Sequence, residues 1–185
     1  MSRPMTIPAI IEGCRREERS CQRELVDRFS PQLFTVALRY LPDHAHAKDV
    51  LQDSLVKILT RIGQYNASGS FEGWMTQVVI TTALNRLDRK WMRREQSTEA
   101  EFLDSTVPPC ALDSLAAEDI LKCIARLPDG YRHVFNLYAI EGYRHREIAQ
   151  MMDITEVNSR AKYARARRML QTILSNPKFG LRHAN

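Results

Sequence analysis

Between positions 45 and 62 the apolar residues recur at helical spacing: Ala47, Val50, Leu51, Ser54, Leu55, Ile58, Leu59 and Ile62 mark one face. Asp49, Gln52, Asp53 and Lys57 fall largely on the other side. A period of 3.6 excludes a strand here and demands a partner surface for the apolar stripe. The same spacing recurs along the chain. Leu33, Phe34, Ala37, Leu38 and Leu41 follow Ser30-Pro31, which predicts a helix capped by Ser30, opening at Pro31 and ending at Pro42. A polar loop, Gly63 to Ser70, leads into a long helix predicted to start at about Ser70 and run through Phe71, Trp74, Val78, Ala83, Leu87 and Trp91. Seven glycines and eight prolines in 185 residues suit long helices better than a turn-rich β protein. No segment reads as a strand of any length, and the expected class is all-α.

The second half repeats the pattern in shorter pieces. Leu115, Ile120, Leu121, Ile124 and Leu127 lead to Pro128-Asp129-Gly130, and Val134, Phe135, Leu137, Tyr138 and Ile140 form a helix stopped at Gly142. Two further helices, about Arg144 to Met152 and Glu156 to Leu174, are joined by Asp153-Ile154-Thr155. A helix, a three- to four-residue turn and a longer basic helix is the helix-turn-helix arrangement.

The net charge of +5 is uneven along the chain. Trp74 to Glu95 carries five basic and two acidic residues, net +3; Glu95 to Asp119 carries seven acidic residues and no Lys or Arg, net −7; Glu156 to Leu170 carries five basic residues and one acidic, net +4. The acidic stretch also holds Ser97-Thr98, Ser105-Thr106 and Pro108-Pro109, the composition of a flexible linker. The expected organisation is an N-terminal segment 1–20, a helical domain 21–94, an acidic linker 95–114, a helix-turn-helix domain 115–174 and a tail 175–185. No apolar run approaches a membrane span, and the N-terminus lacks the pattern of a signal peptide, so the expected location is the cytoplasm without membrane insertion. Cys14, Cys21, Cys110 and Cys123 show no metal-site spacing and read as reduced thiols.

Three elements are candidates for function. In the helix-turn-helix, Ser159, Arg160, Lys162 and Arg165 lie on a helix suited to the major groove, Arg160 and Lys162 at base edges or phosphates and Arg165 at the backbone; Tyr163 supplies core. On the long helix, Arg86, Arg89, Lys90, Arg93 and Arg94 form one cationic stripe, with Trp74, Gln77, Thr81 and Asn85 just upstream. Aromatic and polar groups beside a cationic stripe suit unpaired bases, although Phe71 and Trp74 fit a core role equally well. The outer face of the 45–62 helix, with Asp49, Gln52 and Asp53, is a candidate protein-binding surface. His44 and His46 are two residues apart, unlike the i, i+4 pair of a metal site, and no phosphate loop or nucleophile–base pattern is present. The expectation is a non-enzymatic protein without a cofactor.

Taken together, Asp49-Val-Leu-Gln-Asp53, the loop into Gly69-Ser-Phe-Glu-Gly-Trp74, the basic helix end and the C-terminal helix-turn-helix resemble the extracytoplasmic-function (ECF) sigma factors of bacterial RNA polymerase. The likeness spans about Cys21 to Leu174. It implies two small helical domains, sigma regions 2 and 4, and a role in promoter-specific initiation, with core RNA polymerase (clamp coiled coil and flap) and promoter DNA as partners and room for an anti-sigma factor. By this resemblance Asp49, Leu51, Gln52 and Asp53 bind core polymerase. Tyr65, Asn66, Ser68, Ser70, Phe71, Trp74, Gln77, Thr81, Asn85, Arg86, Arg89, Lys90 and Arg93 serve the −10 element as a single strand, capturing a flipped base. Asn158, Ser159, Arg160, Lys162, Tyr163 and Arg165 serve the −35 duplex. Thr81 stands where the family often has Asn, Asn85 where Asp is commoner, and Arg144 where Ser or Thr usually caps. Glu156-Val157-Asn158 replaces a frequent Gly-Thr pair and makes Asn158 the expected cap. The alternative from the residues is a stand-alone helix-turn-helix regulator, which leaves the 86–94 stripe without a purpose; a third is a polymerase-binding scaffold that does not read promoters.

Overall fold

The computed structural model describes residues 5–41, 43–91 and 117–175, the side chains of 87–91 and 117–119 excepted. The expected linker 95–114, Arg93 and the tail beyond Ser175 lie outside the described residues. Every regular element among those described is helical. The chain divides into two compact units, Met1–Lys90 and Trp91–Asn185.

Unit 1 contains α1 (Ile7–Arg15), α2 (Arg19–Tyr40), α3 (His44–Arg61), a 3-10 turn (Ile62–Gln64) and α4 (Phe71–Trp91). Its core is built from Ile10 of α1, Leu25, Phe29, Leu33, Val36 and Tyr40 of α2, Val50 and Ile58 of α3, and Met75, Val79, Ile80 and Ala83 of α4. Pro31 does not begin a helix, as the sequence predicted; it sits inside α2. An interior proline costs about 3 kcal/mol through its lost N–H and its ring clash. Leu25 and Phe29 before it and Leu33 and Val36 after it are all buried on one face. At about 1.5–3 kcal/mol per buried side chain, that continuous face outweighs the proline.

Helix α1, unmarked in the sequence reading, is capped by Thr6, whose hydroxyl accepts from Ala9 N at 3.4 Å, and buries Ile10 and Cys14. Its turn into α2 is close-packed. A Cβ added at Gly13 would lie 2.1 Å from Cys21 Sγ and 2.7 Å from Cys21 Cβ. Cys14, Cys21 and Cys123 are buried thiols outside any disulfide. Burial, with the charges of Cys21 and Glu18, pushes the Cys14 thiol up to about 11, which leaves it unreactive. The α2–α3 turn follows the sequence closely. Leu41 is extended before Pro42, and Asp43 caps α3 by accepting from His46 N at 2.9 Å.

Unit 2 contains α5 (Ala117–Ala125), α6 (Asp129–Phe135) running into a π turn (Asn136–Ile140), α7 (His145–Met151) and α8 (Glu156–Leu174). The π turn is closed by Glu141 N donating to Asn136 O at 3.0 Å, and Gly142 then ends the segment at φ 79°. Cys123, Ile124 and Leu127 pack with Ala166 and Leu170 of α8, surrounded by Ile120, Tyr131, Phe135 and Met169. The buried Arg132 spans the α5–α6 turn, reaching the carbonyls of Ala125 and Leu127 and pairing with Asp129 at 2.7 Å.

Candidate nucleic-acid and polymerase interfaces

In unit 1, α3 buries Ala47, Val50, Ser54 and Ile58. Its phase leaves Asp49, Gln52, Asp53 and Val56 exposed and Leu51 half-buried. Val56 is 62% exposed, so the acid–amide face ends in an apolar spot one turn on. Arg86 reaches this face. Its guanidinium lies 2.7 Å from Asp49 Oδ2 and 3.7 Å from Asp53 Oδ2. Arg86 was expected among the −10 residues, and the structure instead joins it to the acids of the expected polymerase face. Nothing in the local spacing announces a pairing across 37 positions.

The remaining α4 residues gather as expected. Ser70 caps α4, its hydroxyl accepting from Gly73 N at 3.0 Å. Tyr65, Phe71 and Trp74 form an aromatic trio with ring centroids 5.2 to 5.8 Å apart. Phe71 is buried and also meets Phe29 edge-on, so it anchors the loop from below. Trp74 and Tyr65 are half-buried. The loop between them is held by its own bonds: Tyr65 Oη donates to Gly69 O at 2.6 Å, Ser68 N donates to Asn66 Oδ1 at 3.1 Å, and Ala67 takes φ 58°. From α1, Arg15 Nη2 donates to Tyr65 O at 2.8 Å, a tether the sequence did not announce.

Beside the trio runs an open groove of about 250 Å³ lined by Lys57, Arg61, Gln64, Trp74, Gln77, Val78, Thr81, Thr82 and Asn85. Gln77, Thr81 and Asn85 are exposed along one edge. Lys57 and Arg61 of α3 supply cations on the other, and sequence reasoning missed both. Their i, i+4 spacing was readable, but only the placement of α3 against α4 turns them towards the groove. Lys57 Nζ donates to Thr82 Oγ1 at 3.1 Å across it. Arg89 and Lys90 belong to α4, but their side chains lie outside the described residues, as does Arg93.

In unit 2, α8 is capped by Thr155, whose hydroxyl accepts from Asn158 N at 3.1 Å. Asn158, the expected cap, is therefore inside the helix, because the turn closes through Asp153 at φ 50° and Ile154 N on Ala149 O. α7 lacks a capping side chain on Arg144, and Glu147 Oε2 compensates by accepting from Arg144 N at 2.7 Å. Ser159 is fully buried, 3.0 Å from His145 Nδ1. His145 stacks on Tyr138 at 4.3 Å, and Tyr138 meets Tyr163 at 4.5 Å. Burial and the Arg160 charge hold the His145 imidazolium below the usual histidine range, Glu156 opposing. Lys162 is buried against α6, its ammonium 5.4 Å from the Tyr131 ring. Ser159, Lys162 and Tyr163 thus face inward and brace α8. They were expected at the DNA; the structure buries Ser159 and Lys162 and half-buries Tyr163, since Ala166 and Leu170 fix the buried face of α8 on their side. Asn158, Arg160 and Arg165 are exposed, joined by Arg167 and Arg168. Arg160 is ion-paired with Glu156.

Among the described residues no group of His, Cys, Asp and Glu could hold a metal ion, and no helix is long and apolar enough to cross a membrane. The family described as sigma-70 region 2 matches residues 25–93, and sigma-70 region 4 matches 117–170. The RNA polymerase sigma-H factor of Pseudomonas aeruginosa is 25% identical over 178 residues, covering 89% of this chain and 92% of that protein. The ECF RNA polymerase sigma-E factors of Salmonella typhimurium and Escherichia coli are 24% identical over 179 residues, covering 90% of this chain and 93% of theirs. The fold is similar to that of the sigma factor RpoE of Bartonella quintana, solved with the anti-sigma factor NepR, at a TM-score of 0.53 and 18% identity over 83% of this chain and 96% of that one. Region 2 and region 4 follow one another over most of the sequence, and the chain belongs to the sigma-70 family as an ECF sigma factor.

Proposed function

We propose that this sigma factor docks on core RNA polymerase through the exposed face of α3, holds the unpaired −10 strand along α4 and reads the −35 element as duplex with α8. The observation that carries the reading is the division of labour on α8. One face is locked into the domain by Ser159, Lys162, Ala166 and Leu170, and the opposite face presents Arg160 and Arg165 to solvent. A helix braced this way enters a major groove as a rigid reader, with its arginines on phosphates and base edges.

The groove beside Trp74 supplies what a displaced strand needs. A half-buried ring offers a stacking surface, Gln77, Thr81 and Asn85 offer hydrogen bonds, and Lys57 and Arg61 offset backbone charge. Unstacking a base costs a few kcal/mol, which such contacts offset. Asp49, Gln52 and Asp53 present carbonyl and carboxylate oxygens to a basic partner helix. The sigma factor performs no bond chemistry of its own in this reading; the polymerase supplies catalysis, in the cytoplasm, and an anti-sigma protein is a candidate regulator. A stand-alone regulator would leave the region 2 match and its groove without work.

The test is transcription in vitro with core polymerase on a pool of genomic fragments. Promoter-dependent initiation that requires this chain is the expected result. Absence of both core binding and fragment-selective initiation would refute the proposal.

A further inference from the structure

Val157, the second residue of α8, is 76% exposed, the most exposed large apolar side chain among the described residues. A single exposed valine on a surface is ordinary, but this one has a particular address. At about 100° per residue, it lies on the side of α8 opposite Ser159, Ala166 and Leu170, and Ala161 and Ala164 fall within about 40° of it. Arg160 and Arg167 border this strip on one side and Asn158 and Arg165 on the other, all exposed. Over the first two turns of α8 the outward face is therefore apolar and low along its centre and cationic at its edges; Arg168, also exposed, falls on the same line three turns beyond Val157. A helix lying in a major groove meets base edges at its centre and phosphates at its edges.

In the major groove the one apolar group a base pair presents is the 5-methyl of thymine. We infer that Val157 is a specificity residue that reads a thymine methyl in the upstream promoter element. The inference rests on the proposal that α8 reads duplex DNA. Alanine at 161 and 164 lets the helix approach closely enough for the first-turn valine to reach a base edge. A β-branched residue in that turn has few χ1 rotamers, so the contact is made with little loss of freedom.

Uracil differs from thymine only by that methyl and pairs identically, which gives a direct test. The full-length chain is assembled with core polymerase, and promoter fragments recovered from the genomic pool are rebuilt with uracil at each upstream thymine in turn. Wild-type holoenzyme should lose about threefold to fivefold in affinity at one or two positions, the scale of one methyl leaving an apolar contact. Val157→Ala, with folding checked by circular dichroism, should bind the thymine and uracil forms of those positions equally. Arg165→Ala should weaken both forms and keep their ratio. Indifference of the wild type to uracil everywhere, with upstream sequence selection intact, overturns the inference and spares the duplex reading. A V157A protein that keeps the full thymine preference overturns it too. Failure of the holoenzyme to select any upstream sequence overturns the duplex reading and this inference together.

Discussion

The bond between His145 and Ser159 is a polar link between α7 and the buried face of α8, and its removal has a calculable cost. Both side chains are nearly or fully buried, and Nδ1 and Oγ lie 3.0 Å apart. Ser159→Ala leaves an imidazole nitrogen buried without its partner, a loss of about 1–3 kcal/mol. For a domain of this size each kcal/mol moves the midpoint by roughly 4–8 °C, so the unfolding of unit 2 should drop by a readily measured amount. Replacing both partners, as in His145→Phe with Ser159→Ala, removes both polar groups, keeps a ring for Tyr138 to stack on and should recover most of the loss. The pH dependence has a definite sign. Burial and Arg160 depress the folded-state pKa of His145, so the folded protein binds fewer protons than the unfolded chain. The histidine's contribution is complete above its unfolded value of about 6.5 and is lost as pH falls from there through the lower folded value. Thermal melts followed by circular dichroism between pH 5 and 8 should show this acid loss in the wild type and lose that component in His145→Phe. If Ser159→Ala melts within about 0.5 kcal/mol of wild type and keeps the acid limb unchanged, the argument that this pair holds the two helices is wrong.

Further outcomes follow from unit 1. Gln52→Ala with Asp53→Ala should weaken core polymerase binding by roughly tenfold, about 1.4 kcal/mol, in a pull-down titration; an equal loss in isolated DNA binding would refute the assignment of that face. The exposed Arg86–Asp49 pair should add less than about 1 kcal/mol to stability. Asp49→Asn with Asp53→Asn should release Arg86 and steepen the salt dependence of single-strand binding, measured by anisotropy, by about 0.7 in log–log slope. An unchanged slope would show that Arg86 does not serve the nucleic acid. Pro31→Ala should stabilise unit 1 by up to about 3 kcal/mol, since it restores a helical N–H inside α2, and so raise its unfolding midpoint; a lower midpoint would contradict the reading of Pro31 as a tolerated fault.

Much of this molecule was legible before any coordinates. The 3.6 repeat of α3, the loop into α4 and the turn between α7 and α8 appear within a few residues of their sequence-based limits, because each is specified by local spacing and caps. What sequence concealed depends on distant partners. α1 has no long apolar stripe and becomes a helix by packing on α2. Pro31 looked like a beginning because its local preference is overridden by Leu25 and Phe29 being buried on the same face as Leu33. Lys162 was grouped with Arg160 by charge, yet they lie two positions apart on a helix and so on different sides, and only the burial of Ala166 and Leu170 says which side faces the domain. Arg86 joined a cationic stripe by spacing, while its acidic partners sit on another helix.

Gly13 has reach out of proportion to its size. Any side chain there collides with Cys21 and must lever α1 off α2, and the last turn of α1 carries Arg15, whose guanidinium grips the carbonyl of Tyr65. A displaced α1 would slacken the loop that leads to Trp74. In a genetic screen, then, a substitution at this remote, DNA-free turn would score as a promoter-opening defect, and suppressors would be sought at Cys21, where only glycine removes both colliding atoms, Sγ and Cβ.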